Sequence, residues 1–261
     1  MEILILLLVG AAAGVMAGLL GVGGGVIIVP ALVFLFERQG VHPDVVVQAA
    51  IGTSLATIVF TAMSSIRAHQ RRGAIRWPIF WQLTPGVLAG ALFGAAIAHV
   101  LPGKTLKVLF GVFLLLVAFE LARGGATAGH RQLPGRPMML VAGAVIGSLS
   151  SLFGVGGGSI SVPFLTWCSV PVVQAVATAS AIGLPIAIAG TIGYILTGLQ
   201  AEGLPPASIG YVMLLPLVVI AIASVLLAPL GAWIAHRLPQ VILRRVFAVF
   251  LTLVGLRLLF A

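Results

Sequence analysis

The sequence predicts an all-α, polytopic integral membrane protein built from two repeats, and three observations predict it. Of the 261 residues 61% are hydrophobic and 7% charged, with a mean hydropathy of +1.23, so the chain cannot present an ordinary soluble surface. Apolar runs of 17 or more residues recur along it, the length a helix needs to cross a bilayer. A glycine-rich break occurs twice, Gly21-Val22-Gly23-Gly24-Gly25 and Gly154-Val155-Gly156-Gly157-Gly158, 133 residues apart and each followed five residues on by a proline, Pro30 or Pro163. Irregular backbone at membrane depth is tolerated only around a cavity, because an unsatisfied amide in hydrocarbon costs several kcal/mol.

The first apolar segment, residues 3–20, has no basic stretch before it and no small-residue cleavage site leading to a soluble domain, so it reads as a membrane segment and not as a removed leader. Its Gly10, Gly14 and Gly18 recur at the four-residue spacing that lets membrane helices pack closely. Residues 26–36 are only about 11 in number, enough at roughly 1.5 Å each for half a bilayer, with Pro30 placed to kink a short helix. Three longer segments follow at 43–66, 77–100 and 104–122, and Gly86, Gly90 and Gly94 give the second of these another packing stripe.

The second half repeats the series at 137–153, 159–169, 171–198, 207–235 and 240–260. Gly10 and Gly14 match Gly143 and Gly147 at the same offset of 133. Gln48-Ala49 and Ser54 match Gln174-Ala175 and Ser180 at 126, and Ile97-Ala98-His99 with Leu101-Pro102 match Ile234-Ala235-His236 with Leu238-Pro239 at 137. Changes of offset mark loop insertions in an internal duplication. The chain therefore divides into a first transmembrane repeat, 1–122, a cytoplasmic linker rich in Gly, Arg and Pro, 123–136, and a second transmembrane repeat, 137–261.

The formal charge of +9 would suggest nucleic acid in a soluble chain, but most of the basic residues lie in short loops between apolar runs, so the expected neighbour is membrane lipid. If each glycine break is a re-entrant hairpin, each half crosses three times and the repeats are inverted; if it is a kink, each crosses four times and they are parallel. Inversion puts ten of the fourteen Lys and Arg on the cytoplasmic side, in 67–76, 123–136 and 237–245, and leaves Arg38, Lys104, Lys107 and Arg257 outside. The parallel arrangement puts eight inside, so the positive-inside rule favours inversion. Inverted repeats with short, glycine-interrupted segments at corresponding positions are the build of secondary transporters, whose site lies where the broken elements meet.

A half-helix starting near Val26 or Ser159 offers backbone amides and a positive dipole end to the break, which favours an anion. The candidate binding residues are Gly23, Gly24, Gly25, Gln48, Thr53 and Ser54 in the first half, and Gly156, Gly157, Gly158, Ser159, Gln174 and Ser180 in the second. Their hydroxyl and amide donors suit an oxyanion; alternatively they bond between helices or back to their own backbone. Glu37, Asp44, Glu120 and Glu202 all lie at segment ends, which argues against an acid-lined cation pathway. The five histidines are scattered without metal-ligand spacing, so no metal or other cofactor is expected; His99 and His236 read as interfacial caps before a Leu-Pro turn. Cys168 is the one cysteine and allows no intramolecular disulfide. Arg67, His69, Arg71, Arg72 and Arg76 with Trp77 and Trp81 read as a basic loop with an aromatic belt. Neither glycine run fits a phosphate-binding loop and no nucleophile-base-acid set is visible, so no enzyme is expected.

Taken together, Gly18-Leu19-Leu20-Gly21-Val22-Gly23-Gly24-Gly25 through Pro30, the second copy over 151–163, Ala50-Ile51-Gly52-Thr53-Ser54 and Gly73-Ala74-Ile75-Arg76-Trp77 resemble the sulfite exporter TauE/SafE family, also called the toluene sulfonate uptake permease family. The resemblance covers about 3–260. It implies a multi-pass permease of the cell inner membrane for sulfur-containing anions such as sulfite or organosulfonates. Ala177-Thr178-Ala179-Ser180 replaces Ile51-Gly52-Thr53-Ser54 in the second copy, so the two half-sites need not contribute equally. The function expected is alternating-access transport of such an anion; an anion channel or a non-transporting scaffold subunit are the alternatives. The expected partners are the anion, membrane lipid and other copies of the chain in a homo-oligomer, without nucleic acid.

Overall fold

The computed structural model describes residues 2–20, 23–123, 132–235 and 240–260. Among them the first half forms α1 (Glu2–Leu20), α2 (Gly25–Arg38), α3 (Pro43–Gln70), α4 (Trp77–Val100) and α5 (Gly103–Ala122). The second half forms α6 (Arg136–Leu152), α7 (Gly158–Trp167), α8 (Val172–Gly198), α9 (Leu214–Ala235) and α10 (Gln240–Phe260). All five predicted segments of each half are thus helical and in the predicted order. Of the expected loop 237–245, residues 237–239 lie outside the described residues and 240–245 already belong to α10; the linker's centre, 124–131, is also outside them.

One segment departs from expectation. Residues 207–213 do not begin α9 but form a short antiparallel hairpin, β1 (Ser208–Ile209) with β2 (Val212–Met213). Ala207 and Gly210 take left-handed backbone angles, φ 69° and 54°, and the preceding Pro205 and Pro206 cannot continue a helix, so the chain turns before Leu214. The short broken helices are also unequal. α2 has 14 residues and α7 has 10, spans of about 21 and 15 Å against a hydrocarbon core of about 30 Å.

Four described helices, α3, α4, α5 and α8, are long and apolar enough to cross a membrane. In α3 89% of the most apolar stretch is buried against 33% in α5, so α3 is interior and α5 peripheral. Large apolar side chains such as Phe93, Leu116, Val141, Leu226 and Leu253 stand on the outside, where only hydrocarbon could cover them.

The packing is reciprocal between halves. α4 packs on α6, and their counterparts α9 and α1 pack on each other; α4 packs on α8 while α9 packs on α3; α3 and α5 meet their own counterparts α8 and α10. Such an exchange of partners is what a two-fold relation requires. Glycines make the two matched seams possible. A Cβ added to Gly86 or Gly90 would strike the Leu140 or Ala144 carbonyl, and one on Gly10 or Gly14 would strike the Ile220 or Ser224 carbonyl. These stripes therefore serve helix packing.

α3 and α8 run antiparallel: Gly52 lies against Tyr194, and Leu55 against Gly190. The α3 start lies near the α8 end, with His42 against Gly203, and the opposite ends are joined where Arg76 meets Gln174 and Thr178. On the end that holds the α3 start, Lys107 pairs with Glu37 at 2.8 Å, and Arg38 and Arg257 both stack on Phe34.

Candidate functional site: a cleft between the glycine breaks

The two breaks touch. A Cβ on Gly23 would lie 3.0 Å from the Gly156 Cα, and one on Gly25 would strike the Gly154 carbonyl and come within 2.9 Å of the Val155 Cα. Only glycine permits backbone to cross backbone this closely. The copies are not conformationally equal: Gly23 and Gly24 are left-handed at φ 77° and 75°, whereas Gly157, the counterpart of Gly24, is right-handed at φ −52°. In the second break the left-handed residue is Gly154, at φ 63°. α2 starts behind Gly24 and α7 behind Gly157, and neither N-terminus has a side-chain cap.

Beside the contact lies a small, partly open cleft. Gly23, Gly156 and Gly157 form its back, Ala17 of α1 one edge, Ile58, Thr61, Ala62 and Ser65 of α3 one wall, and Ala179, Ser180 and Gly183 of α8 the other. Among the described residues no charged side chain lines it. Its walls are the later half of α3 and the early half of α8, so it lies toward the end of the bundle that carries the basic 67–76 loop.

Of the predicted site residues, Gly23, Gly156, Gly157 and Ser180 line this cleft, and Gly24, Gly25 and Gly158 are buried in the breaks. Ser54 holds the opposite break from behind, its Oγ donating to the Gly154 carbonyl at 2.8 Å. Thr53 Oγ1 accepts from the Met213 amide at 3.0 Å, away from the cleft. The glutamines are also elsewhere. Gln48 is buried at the α3 start and donates to the Leu101 carbonyl at 3.1 Å, whereas Gln174 accepts from Arg76 Nε at 2.7 Å near the basic loop. Ser159 has its Oγ buried without a hydrogen-bond partner. Sequence reasoning missed Thr61 and Ser65, although Thr53, Thr57, Thr61 and Ser65 recur every four residues and so mark one face of a helix.

At the other end of the same α3–α8 seam the hairpin fills the space. Its Tyr211 amide donates to the Tyr194 carbonyl at 3.2 Å, and Gly52 and Gly198 leave room for the Tyr211 backbone. The Tyr211 hydroxyl and His99 Nδ1 share a hydrogen bond of 3.2 Å, and the fully buried Tyr194 donates to the Ser151 carbonyl at 3.2 Å. Burial raises the Tyr211 phenol above its ordinary value, so it stays a neutral hydroxyl. His99 sits in the last turn of α4 and meets the hairpin through this bond. Its counterpart His236 lies outside the described residues.

Among the described residues no group of three His, Cys, Asp or Glu is placed to hold a metal, and Cys168 is buried. A bundle of apolar helices around an uncharged cleft, walled by two broken segments, is the build of a multi-pass membrane transporter. Residues 6–258 match the sulfite exporter TauE/SafE family, and the chain belongs to it. It is 32% identical to a protein of Haemophilus influenzae named probable membrane transporter protein, over 98% of this chain and 97% of that one. It is 31% identical to a protein of the same description from Methanocaldococcus jannaschii, over 98% and 94%, and 30% identical to one from Bacillus subtilis, over 76% and 80%. These names point to a membrane transporter and not to an enzyme. No solved structure matches the chain.

Proposed function

We propose that this protein is a secondary permease that carries small sulfur-containing anions, such as sulfite or an organosulfonate, across the cell inner membrane by alternating access. The observation that carries this reading is the meeting of two uncapped helix N-termini at Gly23 and Gly156, beside a cleft with hydroxyl groups and no carboxylate. Amides and hydroxyls stabilise a small oxyanion without the charge that would trap it. The preference for sulfur comes from the family and not from the cleft.

Inverted repeats fit the antiparallel pairing of α3 with α8, the counterpart helices of the two halves. The end with the basic 67–76 loop then faces the cytoplasm. In that orientation the cleft is open inward and the Tyr211 hairpin closes the outward end, as one state of an alternating-access cycle would have it.

Purified protein in liposomes tests the reading. Uptake of labelled sulfite or sulfoacetate should saturate and show counterflow, and unlabelled anions of the class should compete. Linear, non-saturating flux would make the protein a channel, and absence of flux for every anion tried would favour a scaffold. For the orientation, a Ser65→Cys variant on a Cys168→Ser background should react with an impermeant maleimide from the cytoplasmic face in inverted vesicles. Reaction from the outer face alone would reverse the assignment.

A further inference from the structure

The offset of 133 that superimposes the glycine motifs also pairs Ser150, Ser151, Ser159 and Ser161 with Ala17, Gly18, Val26 and Ile28. Hydroxyls thus surround the second break where hydrocarbon surrounds the first. Ser150, Ser151 and Ser161 have no solvent exposure, and none of the four hydroxyls has a hydrogen-bond partner among the described residues. Thr191 in the middle of α8 is likewise unpartnered, but most helical hydroxyls bond to their own helix. Thr57, Thr166, Ser180 and Thr252 each donate to the carbonyl four residues back, at 2.8–2.9 Å, whereas Ser161 leaves the Gly157 carbonyl to its own backbone amide.

Their place relative to the cleft is set by the break. The Val155 amide bonds to the Ser150 carbonyl at 2.9 Å and folds the glycine stretch back on the last turn of α6. Ser159 and Ser161 lie in the first turn of the ten-residue α7, directly beyond Gly157 at the back of the cleft, and are not themselves part of its lining. Ser151 is different, for its Oγ faces Gly190 of α8. A buried hydroxyl left without a partner destabilises a fold, so Ser159 and Ser161 in the first turn of α7, with Ser150 in the last turn of α6 across the break, are held for something outside the chain. O–H donors and a positive dipole end select the oxygen atoms of an anion.

Resting on the permease reading above, we infer that the half-sites are unequal: the second break, through Ser150, Ser159, Ser161 and the α7 N-terminus, holds the anion's oxygens. The first break, with Val26 and Ile28, is an apolar wall against which the ligand closes. Three donors beside one dipole end match the three oxygens of sulfite or of a sulfonate group.

Binding of sulfite to the purified protein tests this, read as Kd and as the thermal midpoint with and without ligand. The Ser159→Ala/Ser161→Ala variant should weaken sulfite binding at least tenfold. Its ligand-free midpoint should hold or rise, since neither hydroxyl removed has a protein partner. Ser161→Thr, which keeps the hydroxyl, should bind within threefold of the parent. An unaltered Kd in the double variant, with sulfite bound normally by the parent, overturns the inference and leaves the permease reading standing. So does a lower ligand-free midpoint with unaltered Kd, because the hydroxyls would then serve buried water. If the double variant does not fold, Ser159→Ala alone decides, at an expected threefold or greater loss. Failure of the parent to bind any sulfur anion removes the permease reading and the inference with it.

Discussion

Gly24 and Gly157 hold the same place in the two copies of one motif, yet Gly24 is left-handed and Gly157 right-handed. Their surroundings explain the difference. Gly24 is pressed under α1, where a Cβ would lie 2.8 Å from the Ala13 carbonyl, while Gly157 faces the looser α8 wall, with Ala179 and Gly183 at 3.1 Å. The same letters therefore give two backbones because each is packed against a different neighbour. In an alternating-access cycle between inverted repeats, the halves exchange environments, and a glycine at both positions keeps both backbones available.

Substitutions at matched positions sharpen or break this contrast. The largest effect is expected at Gly24. Gly24→Ala imposes a left-handed angle on a side chain, at about 1–2 kcal/mol, and adds a clash with backbone, so loss of folded protein in detergent is the expected result. Gly157→Ala should shift the midpoint little and yet slow transport, since it removes the left-handed option. Equal midpoints for the two variants would contradict the unequal backbones.

Next comes the serine pair. Ser54→Ala leaves the buried Gly154 carbonyl without its donor and should cost about 1–3 kcal/mol, visible in a thermal or denaturant midpoint. Ser180 donates to the Val176 carbonyl of its own helix, so Ser180→Ala should change stability by less than about 0.5 kcal/mol while raising the KM for the anion. The glutamines should follow the same order. Gln48→Ala should lower the midpoint by about 1 kcal/mol, and Gln174→Ala, beside an exposed Arg76, by less than about 0.5 kcal/mol. The smallest effect is predicted for Tyr211→Phe, which removes only the bond to the exposed His99, should cost less than about 0.5 kcal/mol and should raise maleimide labelling at the hairpin end of the seam.

Much of this was legible in the chain itself. Ten apolar segments became ten helices because a bilayer leaves backbone polar groups few other partners, and the repeated glycines gave both the packing stripes and the crossing. The face that carries Thr61 and Ser65 is legible in their four-residue spacing from Thr53 and Thr57. The hairpin was hidden: Ser208-Ile209 and Val212-Met213 are as apolar as the helix they precede, and only Gly210 and the two prolines mark the turn.

Sequence alone determined the membrane class, the duplication and the two places where helices break, since these follow from composition, periodicity and glycine chemistry along one segment at a time. Tertiary structure decided which of the matched polar residues meet at the cleft, which copy of the motif is left-handed and which end of the α3–α8 seam is filled. Those choices depend on contacts between segments a hundred or more residues apart, such as Ser54 with Gly154 and Thr53 with Met213, and no local pattern encodes them.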